Sequence, residues 1–166
     1  TVSGTSWTYT ATVVNGTTYQ FNVTATDTAG NTSVATDNFT VISDTAAPTV
    51  SLSTVTDNVG SVTGSLLTGA RTDDTSLLLS GTAESGSVVK VYDGTTLLGS
   101  ATVSGTSWTY TATAVNGTTY QLNAKATDTA GNTSAATDNF IVTGDTTAPV
   151  VTLATILDNV GSVTGN

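Results

Sequence analysis

Acidic side chains are the residues of this sequence that could do chemistry. The chain carries 12 Asp and Glu residues against 3 Lys and Arg, with no His and no Cys. A Ser–His or Cys–His catalytic pair and a conventional zinc site are therefore excluded within these 166 residues. Carboxylates beside Gly- and Asn-containing turns remain, and oxygen ligands of this kind are those that Ca2+ takes.

One aspartate stands in a motif that occurs twice. The motif ATDTAGNTS fills 25–33 and again 126–134, and it places Asp27 and Asp128 just before a Gly–Asn turn. Two interpretations of this aspartate stay open. It could bind a cation through its carboxylate, or it could only turn the chain, because Asp accepts hydrogen bonds from nearby backbone and favours turns.

Charge and hydropathy exclude several classes of partner and activity. A net charge of −9 argues against nucleic acid and anionic membrane surfaces, since both are bound through clustered Lys and Arg. No stretch approaches the ~20 apolar residues that a membrane span needs, so we expect no membrane insertion. The adjacent pair Asp73–Asp74 does not predict acid–base catalysis, because neighbouring side chains on an extended chain diverge. We therefore expect no enzyme activity.

An internal repeat sets the organisation of the chain. Residues 1–65 align without gaps to 102–166, an offset of 102 − 1 = 101 residues, and 50 of the 65 aligned positions are identical. A period of about 100 residues is the size of an immunoglobulin-like sandwich domain. The segments SDTAAP and GDTTAP, each ending in one of the two prolines, are typical of linkers. We therefore expect the C-terminal part of one repeat in 1–44, a complete repeat in 45–145 and the start of a third in 146–166, as an excerpt of a longer tandem array.

Strand-like segments fill the complete repeat. Thr is the commonest residue, 41 of 166, and β-branched residues favour a pleated, half-exposed surface. Alternating apolar and polar residues, divided by turn signals, predict seven strands A to G. These are 49–53, 76–83, 87–92, 96–103, 107–113, 119–127 and 136–143. Seven short strands predict an all-β fold, an immunoglobulin-like antiparallel β-sandwich, with Trp108 and Tyr110 directed toward its core.

Strand direction sorts nearly all acids into loops at the two ends of this sandwich. Because antiparallel strands reverse direction, the N-terminal pole, where strand A begins, should collect Asp44, Glu84 and Asp128. The opposite, C-terminal pole should collect Asp57, Asn58, Asp73, Asp74, Asp93 and Asp145, and the repeat adds Asp27 and Asp158 as counterparts of Asp128 and Asp57. Clustered carboxylates repel unless a cation lies between them, so facing poles of successive repeats predict Ca2+ sites. The other interpretation is that acids prefer loops and keep the surface soluble.

The order of several motifs resembles a known family. DTTAP, LDNVGSVTG, TDDTS, LSGTAESGSVVKVYDG, LLGSATV, SWTYT and KATDTAGNTS are similar to bacterial Ig-like repeats of giant surface adhesins, including biofilm-associated and type I-secreted proteins. The resemblance covers the whole chain and implies an extracellular stalk repeat on the bacterial cell surface. It also implies Ca2+ at or near domain junctions. The family's aspartates map to Asp57, Asp73, Asp74, Asp93, Asp128 and Asp145.

Three functions follow as hypotheses. The first is a structural extender of a cell-surface adhesin, stiffened by Ca2+, that supports cell adhesion and biofilm formation. Its expected partners are neighbouring repeats of the same chain and, between cells, copies of itself. The second hypothesis is a module that binds a glycan or a protein, which would need an exposed aromatic cluster unlike the rest of the array. The third is an ancillary domain of a secreted polysaccharide-degrading enzyme.

Overall fold

The computed structural model describes residues 1–156, so the predicted ligand Asp158 lies outside the described residues. Within residues 1–156 the chain forms strands, turns and loops and contains no helix, and therefore no helix that could cross a membrane. The strands are β1 (Val2–Ser3), β2 (Ser6–Trp7), β3 (Thr18–Phe21), β4 (Phe39–Ile42), β5 (Val50–Asp57), β6 (Gly64–Ser65), β7 (Ala70–Thr72), β8 (Ser76–Ala83), β9 (Val88–Asp93), β10 (Thr96–Ser100), β11 (Thr102–Ser104), β12 (Ser107–Thr113), β13 (Thr119–Thr127) and β14 (Phe140–Gly144).

Two five-stranded sheets form the body of the molecule. Sheet I has the order β10-β9-β13-β14-β7, and sheet II has the order β11-β12-β8-β5-β6. Neighbouring strands are antiparallel except β14 and β7, which are parallel. Following the reversals from β5 through β8, β9 and β13 shows that β14 runs in the same direction as β5. The chain therefore enters this sandwich at one end and leaves it at the other, and the all-β sandwich expected from the sequence is confirmed.

The core lies between the two sheets and is anchored by Trp108. Its side chain is 1% exposed and contacts a cluster of buried Val, Leu and Ala residues from both sheets. The indole nitrogen donates to the carbonyl oxygens of Ser51 at 3.0 Å and Thr82 at 3.2 Å, so one ring also ties β5 to β8. Gly81 makes room for it, because a Cβ there would collide with the Ser51 carbonyl and the indole. The predicted inward direction of Trp108 is confirmed, and Tyr110 packs half-buried against the same cluster.

Strand D, expected to be continuous over 96–103, is divided between the sheets. Its first part, β10, pairs with β9 in sheet I, whereas its second part, β11, pairs with β12 in sheet II. A bulge lies between Leu97 and Gly99, and a Cβ at Gly99 would come within 3.1 Å of the Tyr110 ring. The missing side chain lets that ring lie against the strand where it leaves sheet I. The prediction of one uninterrupted strand D was therefore wrong.

The ends of two other predicted strands also differ from the structure. Strand A extends to Asp57, and strand G begins at Phe140 rather than at 136. Ahead of β14, the hydroxyl oxygens of Ser134 and Thr137 accept the backbone N–H groups of Ala126 and Ala124, at 3.0 and 3.1 Å. Side-chain oxygens thus take acceptor positions that carbonyl oxygens would fill in a regular ladder.

Residues 1–44 form two short ladders, β1 with β2 and β3 with β4. An open groove of about 900 Å3 lies beside β1, β2 and the end of β3, and Trp7, Tyr9 and Phe21 are among the residues that line it. Trp7 is the sequence counterpart of Trp108, yet it is 55% exposed.

Candidate functional site at the linker

The repeated loop that contains Asp128 is closed by that residue's own carboxylate. Oδ1 accepts the backbone N–H groups of Ala130 and Asn132, each at 2.9 Å, and Oδ2 accepts the Asn132 side-chain amide at 2.9 Å. The N–H of Asp128 in turn donates to the Asn132 carbonyl at 3.0 Å. Gly131 has a φ of +96°, a conformation that favours glycine. Every one of these contacts fits the interpretation of Asp128 as a turn-forming residue.

The first copy of the loop has the same internal geometry. The Asp27 carboxylate accepts the N–H groups of Ala29 and Asn31 and the Asn31 side-chain amide, all at 2.9 Å. In both loops the asparagine side-chain amide is the main cause that holds the pKa of the aspartate below its ordinary value. Backbone N–H groups of the turn lower the pKa further, and desolvation opposes them.

Asn132 also reaches out of its loop to the linker. Its side-chain Nδ2 donates to the backbone carbonyl oxygen of Asp44 at 3.2 Å, across 88 positions of sequence. The same nitrogen donates to the Asp128 carboxylate, so the amide is oriented by its own loop while it holds the linker. The Asp44 carboxylate does not face this contact, because its Oδ1 accepts the N–H of Ala46 at 3.0 Å.

The linker is held from its other side by the turn that contains Asn15. The side-chain Oδ1 of Asn15 accepts the N–H of Thr45 at 2.7 Å. Beside it, the N–H of Gly16 donates to the Ser43 carbonyl at 2.7 Å, and the N–H of Ser43 donates to Thr17 at 3.0 Å. Residues 43–45 are therefore attached to the preceding turn before they reach β5.

The second linker repeats this attachment. Asn116 Oδ1 accepts the N–H of Thr146 at 2.8 Å, and its Nδ2 donates to the Thr147 hydroxyl at 3.0 Å. The backbone N–H of Gly117 donates to the Gly144 carbonyl at 2.8 Å, as the N–H of Gly16 donates to the Ser43 carbonyl in the first copy. Sequence reasoning missed these asparagines as functional residues. The signal that could have found them is an Asn-Gly-Thr turn that recurs at the 101-residue period ahead of each linker.

Two of the predicted metal ligands at the C-terminal pole are buried. Asp57 is 2% exposed, and its oxygens accept the N–H of Val59 at 2.9 Å and the hydroxyl of Thr72 at 2.7 Å. Asp74 is 1% exposed, and its oxygens accept the N–H groups of Ser76 at 2.7 Å and Asn58 at 3.1 Å. These carboxylates tie together the backbone between β5 and β8, a structural use that the sequence did not indicate.

A small polar cavity of about 230 Å3 lies at the same pole. Asp57, Asp73 and Asp145 line it together with Arg71 and Thr72. The Arg71 guanidinium contacts the Asp145 carboxylate at 3.3 Å. A cation entering this cavity would meet an existing positive charge, which weakens its attraction to the acids.

The remaining predicted ligands lie apart from this cavity. Asp93 accepts the N–H of Gln121 at 2.7 Å, and Glu84 is exposed in the turn between β8 and β9. Within residues 1–156, no group of three or more acidic side chains is placed so that it could hold a metal ion. The described residues therefore do not fit a Ca2+ site built from carboxylates alone, and calcium binding stays a prediction.

The outer face of sheet I carries the three basic residues of the chain. Lys90 on β9 lies directly opposite Lys125 on β13, and Arg71 lies on β7 at the far edge. Lys125 Nζ is 5.6 Å from the centre of the Tyr92 ring, and among the described residues neither lysine forms an ion pair. Like charges directly opposite each other in a sheet are destabilising. Lys125 replaces Thr24 of the first copy, and this is the one charged difference between the aligned repeats.

Comparison with known proteins gives a family and distant structural likenesses. A family model described as a bacterial Ig-like domain matches residues 49–146. No curated protein matches the chain. Among solved structures, the chain is similar to the fibronectin(III)-like modules of Clostridium thermocellum CbhA, at 20% sequence identity and a TM-score of 0.48. This match covers 78% of the present chain and 63% of the other, so it spans less than two thirds of that chain's length.

Proposed function

The chain belongs to the bacterial Ig-like domain family, and from this premise we propose that it is a structural extender repeat of a bacterial cell-surface adhesin. The observation that carries the proposal is the hydrogen-bonded linker, which joins one repeat to the next at a defined place. The chain enters and leaves the sandwich at opposite poles, so each added repeat lengthens the molecule instead of folding it back. We place the repeat outside the cell, where such a stalk would support adhesion and biofilm formation.

The length of a tandem protein tests this function. In proteins of two, four and six copies of residues 45–145, small-angle scattering should give a maximum dimension that rises linearly with the number of repeats. Each repeat should add at least about 30 Å, because the nine residues of β13 lie along the long direction at roughly 3.3 Å each. A dimension that grows only as the square root of the number of repeats would describe freely hinged beads and would reject the extender.

Calcium binding is a separate part of the proposal and has its own test. Acids at both poles support it, whereas the Arg71–Asp145 contact and the hydrogen-bonded state of Asp57 and Asp74 oppose it. If Ca2+ at 2 mM binds with a Kd of about 0.1 mM, the folded state gains about 1.8 kcal/mol per site. Equal melting temperatures in 2 mM CaCl2 and in EDTA would remove calcium from the proposal and leave the extender untouched.

The basic face of sheet I favours a second candidate function, recognition of a carboxylated polysaccharide. Lys90 and Lys125 present two like charges beside Tyr92 in a chain whose net charge is −9. The first copy has Thr24 at the position of Lys125, so the two copies differ in charge at this point of the face. Affinity electrophoresis in gels containing polygalacturonate should retard the wild-type chain and not Lys125→Thr, which restores the neighbour's residue. Equal mobility of both proteins at low salt would reject this candidate.

A further inference from the structure

We propose that each joint of the stalk is held by an asparagine clamp that closes on a single peptide group and needs no metal ion. The clamp consists of Asn15 from the preceding repeat and Asn132 from the following one, and Asp128 is the positioning residue for Asn132. This inference rests on the proposed extender function and assigns the mechanism by which successive repeats keep their direction.

The two contacts meet on the peptide group between Asp44 and Thr45. Its carbonyl oxygen accepts Asn132 Nδ2 at 3.2 Å, and its N–H donates to Asn15 Oδ1 at 2.7 Å. A peptide group is planar and rigid, so its oxygen and its hydrogen cannot move independently. Rotation of this group within the linker therefore stretches at least one of the two bonds, and the preceding and following repeats are coupled through one rigid plane.

The arm contributed by the following repeat is oriented before it meets the linker. The Asp128 carboxylate binds both the backbone N–H and the side-chain amide of Asn132, each at 2.9 Å. The amide therefore loses little rotational freedom when it contacts Asp44, which favours the contact. This gives the second ATDTAGNTS loop, 126–134, a role other than catalysis or ion binding.

The chain contains its own control for this arm. Asn31 is bound by Asp27 in the same way as Asn132 by Asp128, but within residues 1–156 its amide has no hydrogen bond to a linker. The other arm recurs at the second linker, where Asn116 Oδ1 accepts the N–H of Thr146 at 2.8 Å. Thr146 therefore reports on an unperturbed clamp arm in the same molecule.

Amide hydrogen exchange of Thr45, measured by NMR on the full 166-residue chain in EDTA, tests the clamp. Asn132→Ala should speed exchange at Thr45 by about two- to tenfold, the range expected when a neutral hydrogen bond is lost. Asn31→Ala should leave Thr45 unchanged, and Thr146 should keep its rate in both variants. Asp128→Ala should resemble Asn132→Ala at Thr45, whereas Asp27→Ala should not.

A second measurement keeps the test decisive if Asn132→Ala disturbs its own loop. Spin labels placed on β3 and β13 report the distribution of distances across the joint, again in EDTA. The wild-type distribution should be narrow, and Asn15→Ala, which alters the other side of the joint, should broaden it. The clamp would be overturned if Asn15→Ala and Asn132→Ala both left the distance distribution and the exchange rate of Thr45 unchanged. It would also be overturned if the wild-type distribution narrowed only after CaCl2 was added. Neither result depends on the length of a tandem protein, so failure of the clamp and failure of the extender function remain distinct.

Discussion

Replacing Trp108 tests how the sandwich is stabilised. The side chain is 1% exposed, and its indole N–H is shared between the carbonyl oxygens of Ser51 and Thr82. Trp108→Ala removes a large buried ring and should lower the free energy of unfolding by about 3–5 kcal/mol. For a folded unit of roughly 100 residues, this corresponds to a fall in melting temperature of at least about 12 °C. Trp108→Phe keeps most of the ring and should lose about 1–2 kcal/mol, mainly through the missing N–H donor.

An exposed apolar residue of the same sandwich is the control for this substitution. Val115 lies in the loop after β12 and is 56% exposed, so Val115→Ala should change the free energy of unfolding by no more than about 0.5 kcal/mol. Urea unfolding followed by circular dichroism gives the values for all three variants. Equal losses for Val115→Ala and Trp108→Ala, or a loss below about 1 kcal/mol for Trp108→Ala, would refute the assignment of Trp108 as the core anchor.

Three further predictions concern individual side chains. Gly81→Ala should lower the free energy of unfolding, measured with urea, by about 1–3 kcal/mol, because the new Cβ meets a backbone carbonyl. Gly99→Ala should lower it less, because the tyrosine ring that the new Cβ meets can shift. The reverse order would contradict this reasoning. Asp74→Ala leaves two backbone N–H groups without acceptors, and the free energy of unfolding should fall by about 1–3 kcal/mol for each group that stays buried. Asp138 is exposed, so Asp138→Ala should lower the free energy of unfolding by less than about 0.5 kcal/mol. Equal effects of the two substitutions would count against a structural role for Asp74. Folding lowers the pKa of Asp128, so the stabilising effect of its carboxylate is present above the unfolded pKa of about 3.9 and is lost as the pH falls through the folded pKa. The melting temperatures of the wild type and Asp128→Asn should therefore converge between pH 6 and pH 2. A difference that stays constant over this range would contradict the linkage.

Much of the sandwich could be predicted because its strands carry local signals. Apolar and polar patterning together with turn signals predicts β8, β12 and β13 with the bounds that the structure shows. The same reasoning failed where packing from a distant strand decides the outcome. The division of strand D depends on Tyr110, a residue of another strand, resting on Gly99. No pattern within 96–103 contains that information.

The candidate site shows the same division between local and distant contacts. The motif around Asp128 allows two interpretations, and one of them is a turn whose hydrogen bonds span no more than four residues. The linker contacts join residues 30 and 88 positions apart, so spacing could not indicate them. Burial of Asp57 and Asp74 was also unexpected, because acids are seldom buried unless donors surround them, and these donors come from the fold.

The parallel pairing of β7 with β14 has a consequence for a molecule that is pulled. Tension along a stalk would enter through the start of β5 and leave through the end of β14, at opposite ends of the sandwich. Because Ala70–Thr72 and Val142–Gly144 run side by side in the same direction, the bonds between them lie across the line of pull. They are loaded in shear and share the force, instead of opening one after another as in a hairpin peeled from its end. In the proposed extender, this geometry would let a repeat resist a sudden load more strongly than its thermodynamic stability alone implies.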